Sequence, residues 1–444
     1  LSKLSKRNWL FVTLAAIFIW APLPWGSNEA AFWHLLVGLV FLLAALCCFS
    51  VAGGSQMLSP VVKKSWLPIL ALVGFQCWVG AQYLFGLTIS PYDTYVDIQL
   101  GVAYTLFFIL CLQLINTREK LKIFATVFVL AGTFQAFYGS FMTLSGLEYG
   151  FFEEKHRFRG VATGTYMARN HYAGFLEMSL AVGIGLMLSQ LRTDRSKGWQ
   201  DRWHRLLETI LSPKFRLRLY LAIMVVGLVL SRSRMGNMAF FVSVTLCGLL
   251  ALYFQRRHHK QRVNRNIIVF FVSMAIIDVF IVTNWFGLDK LVERMEKTSA
   301  ESELRDEAAR DTLKIWADYP VAGTGAGTFQ LAYPRYRGAA VHVAQFTAHN
   351  DYLEFASETG LVGIVLLGFA VLHILWQGIR AQIERRSRFL QGMGFASTMG
   401  IVAILIHSFT DFNLQIPANA LAFMVILAFG CIARHLPSSK ASKG

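Results

Sequence analysis

The sequence predicts an all-α polytopic membrane protein of about 12 transmembrane helices with a large helical loop on its outer side. Three observations predict it. Of 444 residues, 55% are hydrophobic and only 15% are charged, and the mean hydropathy is +0.48. Average soluble domains carry about 25% charged residues. Apolar runs near the roughly 20 residues that a bilayer core requires recur along the chain. Lysine and arginine gather in alternate loops between those runs, as they do when helices are oriented in a bilayer.

The runs place expected spans at 9–24, 30–51, 66–87, 96–116, 121–145, 171–191, 218–232, 236–255, 267–288, 360–379, 391–411 and 416–434. Lys3, Lys6 and Arg7 precede the first run. No small-residue cleavage site follows, since Trp20 to Trp25 is bulky and contains prolines, so an uncleaved first helix is expected. With the N-terminus inside, 28 of the 42 Lys and Arg residues fall in inside segments. Both termini are then cytoplasmic. The expected organisation is one membrane domain over residues 1–444, with 289–359 a long outer loop. Within that loop, Leu304 to Ala317 reads as a helix, stopped by Asp318-Tyr319-Pro320. Gly323, Gly325 and Gly327 then bend the backbone; without a βαβ pattern they form no dinucleotide fingerprint.

A net charge of +16 would suit nucleic acid. The cations lie in short loops between apolar runs, however, and not on one face interleaved with aromatic residues, so no nucleic-acid partner is expected. Cys47, Cys48, Cys77, Cys111, Cys247 and Cys431 all sit in or beside apolar runs. They read as buried free thiols, with neither a disulfide framework nor a zinc site.

The same alternation brings distant polar motifs to one membrane surface. Arg169-Asn170-His171-Tyr172 opens the sixth span, and Glu177 lies two turns further on the same face. Ser231-Arg232-Ser233-Arg234 forms the tight turn before the eighth. His349-Asn350-Asp351-Tyr352, with Glu358, stands at the mouth of the tenth. His407 and Asp411 are four apart, and so on one helix face at the end of the eleventh. Each has a plainer reading. Arg232 and Arg234 can snorkel to headgroups, and His407 and Asp411 can be a structural pair. Asp278, in the middle of the ninth span, is costly unless paired, and reads as structural.

Together these residue types suit one chemistry. Guanidinium forks bind phosphate oxygens and stay charged. A histidine takes a proton from a hydroxyl near neutral pH. No nucleophilic triad stands out, nor a metal-ligand cluster. An outer surface has no ATP, so the substrate must carry its own energy. A sugar on a lipid diphosphate fits, displaced directly with inversion while the arginines take the leaving charge.

Three stretches carry a family resemblance. They are Ser233-Arg234-Met235-Gly236, Arg305 followed by Asp318-Tyr319-Pro320 through Phe329, and His349-Asn350-Asp351-Tyr352-Leu353-Glu354 with Glu358 and Gly360. They resemble the bacterial O-antigen ligase and O-antigen polymerase family, as do Gly164 to Gly174 and Asp411 to Pro417. The resemblance covers roughly residues 160–420. It implies a GT-C-type glycosyltransferase of the bacterial inner membrane with a periplasmic active site, no cofactor and no metal. The implied donor is an undecaprenyl-diphosphate-linked glycan. The acceptor is lipid A–core in a ligase, taken ahead here, or a second lipid-linked glycan in a polymerase. Carried onto this chain, His349 is the acceptor-activating base and Arg234 a diphosphate ligand. Arg169 and Arg305 are further phosphate contacts. Ala309 stands where the family often has Trp, so the resemblance leaves open which of Arg305 and Arg310 faces the site. Asn170, His171, Arg232, Asn350, Tyr352, Glu358, His407 and Asp411 complete the expected binding set. The rival of another class is a transporter of polysaccharide or lipid-linked glycan, which would place its site near the midplane. A structural scaffold would require neither His349 nor Arg234.

Overall fold

The structure, a computed structural model, describes residues 8–151, 153–190, 213–257, 306–338 and 347–437. The expected ninth span with Asp278, and Arg305, lie outside them. In chain order the described helices are α1 (Trp9–Trp20), α2 (Ala30–Ala52), α3 (Pro60–Lys64), α4 (Trp66–Leu84), α5 (Pro91–Leu114), α6 (Arg118–Ser145), α7 (Arg169–Gln190), α8 (Pro213–Leu230), α9 (Arg234–Arg257), α10 (306–318), α11 (Phe329–Ala332), α12 (Asp351–Glu384), α13 (Arg388–His407) and α14 (Pro417–His435). The described residues hold no β-strand beyond one isolated bridge, Tyr149 to Glu154.

Nine of these helices are long and apolar enough to cross a membrane. Two of the expected spans among the described residues fall short, for different reasons. α1 stops at Trp20 after 12 residues. Pro22 and Pro24 follow, and a proline has no N–H with which to continue the helical hydrogen-bond ladder. α8 is 18 residues long but carries Lys214, Arg216 and Arg218 in its first two turns. Other helices begin earlier than hydropathy alone suggests, because polar caps start them. Ser90 accepts from the Asp93 N–H at 3.4 Å with Pro91 in the first turn, and Thr117 accepts from the Lys120 N–H at 3.2 Å. Such caps satisfy amides that the helix leaves open.

α7, α13 and α14 form the interior of the bundle, and the most apolar stretches of α7 and α14 are 89% buried. Small residues let these helices approach closely. A Cβ on Gly185 would stand 2.3 Å from the Gly392 carbonyl oxygen, and one on Gly392 would stand 2.3 Å from that of Gly185. Without a hydrophobic drive between helices in lipid, this kind of backbone approach supplies the packing. The free thiols divide. Cys47, Cys111, Cys247 and Cys431 are buried as expected, whereas Cys48 and Cys77 are exposed on outward faces.

α12 is the element that departs most from expectation. It runs 34 residues and is broken at Gly360 (φ 64°, ψ −168°), near the residue where the hydropathy pattern begins it. The segment 320–328 fills the break. The Leu361 N–H donates to the Pro320 carbonyl (2.9 Å), the Thr324 N–H to Ser357 (2.9 Å) and the Gly325 N–H to Glu358 (2.9 Å). From α4, Trp78 Nε1 donates to the Thr359 carbonyl at 2.9 Å and Gln82 Nε2 to that of Glu358 at 2.9 Å. A kink at membrane depth is tolerated where other protein groups take up the freed backbone, as they do here. Gly323, Gly325 and Gly327 all have positive φ, as their expected role in bending requires. α10 ends at residue 318, beside the Asp-Tyr-Pro stop.

Candidate active site

The short first part of α12, before the break, positions His349. Asn350 caps it, its Oδ1 accepting from the Leu353 N–H at 3.1 Å while its Nδ2 donates to the Phe409 carbonyl at 2.9 Å. One residue on, the Asp351 N–H donates to the Ser408 carbonyl (3.0 Å), and the Ser408 hydroxyl donates to Asp351 Oδ2 (2.7 Å). Tyr352 donates its hydroxyl to the Leu405 carbonyl at 2.7 Å. On the other side of His349, the Ala348 N–H donates to Glu354 Oε2 at 2.7 Å. His349 itself sits at φ 49°, a left-handed conformation that costs a non-glycine residue of order 1 kcal/mol or more. Bonds on both flanks hold it there, and the imidazole is 31% exposed.

Behind it lies a buried carboxylate. Asp411, 1% exposed, faces three imidazoles at the same separation. His349 Nδ1 and His171 Nε2 each lie 3.9 Å from its Oδ1, and His407 Nε2 lies 3.9 Å from its Oδ2. Phe412 turns its ring edge-on to both His171 and His349, with centroids 4.6 and 5.0 Å apart. Burial alone would raise the Asp411 carboxyl. His171, His407, the Phe412 N–H and His349 outweigh it and hold the group below its ordinary value. The magnitudes explain why several partners are required. Unit charges 4 Å apart attract by about 4 kcal/mol at an effective dielectric near 20, while burying one carboxylate costs several kcal/mol.

His407 is wholly buried and reaches Glu177 Oε1 through Nδ1 at 2.8 Å; Glu177 is likewise 0% exposed. α9 approaches the same turn of α7. A Cβ on Gly236 would stand 2.6 Å from Ala173 Cβ and 3.1 Å from Glu177 Oε1. The Arg232-Ser233-Arg234 turn therefore stands at the level of α7's first turns, where Arg169 lies over the Phe158 ring at 5.9 Å. Arg232 and Arg234 are exposed, while Arg169 and Asn170 are half-buried.

The geometry thus brings His171, His349, His407 and Asp411 into one cluster, with the Arg232–Arg234 turn and Arg169 beside it. Asn350 and Tyr352 are engaged in holding the segment. Glu358 is buried on the far side of this segment, its Oε1 accepting from the Phe329 N–H at 2.8 Å, so it clamps the glycine-rich loop. Arg310 is exposed on α10, whose inward face presents Ala308 and Ile315 to Phe329, Tyr333 and Ala348. Phe412, Glu354 and Asp351 enter the sequence reading only as members of longer motifs with no role of their own, and Ser408 not at all. Phe412 had one usable signal, its place next to Asp411. Among the described residues no group of three or more His, Cys, Asp or Glu side chains is placed to hold a metal ion.

Comparison with known proteins adds a family to this geometry. A search of curated proteins returns no match. Residues 219–368 match the family model Wzy_C, O-Antigen ligase. That range holds the Arg232–Arg234 turn, the glycine-rich segment and His349. Arg169 to Glu177 and His407 to Asp411, which complete the cluster in space, lie on either side of it. Over residues 219–368 this chain is therefore similar to the O-antigen ligase family.

Proposed function

We propose that this protein transfers a glycan from an undecaprenyl-diphosphate carrier to a hydroxyl acceptor at the periplasmic face of the bacterial inner membrane. The observation that carries the reading is His349, a partly exposed imidazole with the buried Asp411 carboxylate 3.9 Å behind its Nδ1, at the level of a two-arginine turn. The orientation rests on the positive-inside count, which puts this end of the bundle outside.

In this reading the acceptor hydroxyl gives its proton to Nε2 of His349 as its oxygen attacks the anomeric carbon. The new C–O bond forms as the bond to the diphosphate breaks, and the electron pair departs on the phosphate oxygen. Arg234, with Arg169 and Arg232, takes the developing charge. Asp411 stabilises the imidazolium, as a carboxylate behind a general base does. Attack opposite the leaving group inverts the anomeric centre. Lipid A–core is taken as the acceptor, which makes the protein a ligase; a second lipid-linked glycan would make it a polymerase. The broken α12 is a feature of transporters, but here the break is filled by the protein's own glycine-rich segment. A Cβ on Gly323 would lie 2.2 Å from the Glu358 carbonyl oxygen, so the backbone of that segment packs directly against the break.

The test is transfer by purified protein in lipid nanodiscs from a lipid-diphosphate glycan, with and without lipid A–core. His349→Ala is expected to lower kcat by about 10²–10⁴-fold and Arg234→Ala by about 10²-fold or more, with both proteins folded and inserted. Full transfer by both variants overturns the reading. Product on lipid A–core identifies a ligase, and lengthened lipid-linked glycan a polymerase.

A further inference from the structure

We propose that the buried Glu177–His407 pair is a positioning device that keeps Asp411 ionised behind His349. The inference rests on the transfer reading above for its kinetic consequence. Its geometry stands without it.

Both ring nitrogens of His407 face carboxylates, Nδ1 towards Glu177 at 2.8 Å and Nε2 towards Asp411 at 3.9 Å. A carboxylate only accepts hydrogen bonds, so an imidazole set between two of them is served by carrying both protons. The ring is 0% exposed, so no solvent counter-charge substitutes for either partner. Two further atoms, Glu177 Oε2 and His407 Nε2, are buried with no hydrogen-bond partner. In a purely structural pair such atoms are usually satisfied. Here the arrangement is anion, cation, anion, leading from the bundle interior to His349. The cation offsets the burial of Asp411. Glu177 in turn keeps the cation charged.

The titratable groups facing Asp411 come from three elements besides its own loop. α7 brings His171 and Glu177, the start of α12 brings His349 and Asp351, and α13 brings His407. α9 approaches Glu177 through Gly236, with Arg232 and Arg234 exposed at the same turn.

The discriminating variant is Glu177→Gln. It keeps an oxygen for the Nδ1–H of His407 and removes only the charge. His407 then loses its second proton, and Asp411 loses a cation and protonates at higher pH. Since transfer requires ionised Asp411, the acid limb of kcat should move up by about one pH unit, a tenfold loss on the acid side. KM should change little. A structural role predicts an unmoved profile, because the hydrogen bond survives. Infrared spectra of the purified protein give a second readout that does not require turnover. On acidification, Glu177→Gln should develop the C=O band of a protonated carboxyl about one pH unit above the wild-type protein, and Glu177→Gln/Asp411→Asn should lose that band again. Absence of that shift in the band together with an unmoved acid limb overturns the inference. If the wild-type protein forms no glycosidic bond, the transfer reading fails, and the band alone then decides whether the pair holds Asp411 ionised.

Discussion

The break in α12 at Gly360 and the cluster around Asp411 are both polar, both largely buried, and joined by one short helical segment. They differ in how fully their groups are satisfied. At the break, Glu358 accepts from Phe329, Gln82 donates to Ala322 and Glu358, and Thr324 and Thr328 share a hydrogen bond at 2.8 Å. Around Asp411, Glu177 Oε2, Asp351 Oδ1, His407 Nε2 and Asn413 Nδ2 are buried with no hydrogen-bond partner. Leaving a buried polar group unsatisfied costs about 1–3 kcal/mol. A region that tolerates several such groups is organised for something other than stability, and a region that tolerates none is organised to hold a shape. The break sets where the segment before it lies, and that segment carries the histidine.

The sharpest way to test the contrast is to remove charge from the cluster and conformational freedom from the break, then ask which property fails. Asp411→Asn keeps the volume and removes the carboxylate behind His349. Transfer should fall on the order of 10²-fold in kcat with KM nearly unchanged, since the charge is felt once His349 holds the proton. The thermal midpoint should fall, because the fold favours the ionised carboxylate and its removal leaves the facing imidazoles without that partner. A large loss of folding with normal kcat in the folded fraction would make the cluster structural and erase the distinction.

In Gly360→Ala stability alone should fail. The residue has φ 64°, and a Cβ there would stand 2.1 Å from the Val321 carbonyl oxygen. The left-handed conformation alone costs an alanine about 1 kcal/mol or more, and the contact with rigid backbone adds to it. The variant should show a lower thermal midpoint and a lower inserted yield. Its folded fraction should retain most of its kcat. Loss of kcat at full stability would mean that the break takes part in the chemistry.

Much of this arrangement was legible in the sequence. Eleven of the expected spans fall on described helices, because the length and hydropathy of an apolar run report directly on burial in lipid. The expectation that Arg169, the Arg232–Arg234 turn, His349 and Asp411 lie at one end of the bundle came from counting spans, since an even number of crossings returns the chain to the same end. The break in α12 was not legible. Gly360 precedes an apolar run, and nothing local says that segment 320–328 will supply the missing bonds. The roles of Glu358 and Tyr352 were hidden for the same reason. Local sequence marks them as polar residues at a helix mouth, but the partners that occupy them, the Phe329 N–H and the Leu405 carbonyl, are tertiary.

Glu354 offers the finest test of the division between shape and chemistry, because it belongs to both regions. It stands on the same short segment as Glu358, one turn before it, and accepts from the Ala348 N–H at 2.7 Å. Its bond is structural in kind, yet it fixes the backbone beside His349, whose φ of 49° must be held from outside. Glu354→Ala should lower kcat by about tenfold, the scale expected when a general base loses a fraction of its productive geometry. Glu354→Gln retains an acceptor oxygen for the same N–H and should restore most of the loss. Recovery by Gln would show that the side chain acts through the backbone of His349. Equal loss in Ala and Gln would show that the charge matters, and would place Glu354 with Asp411 and not with Glu358.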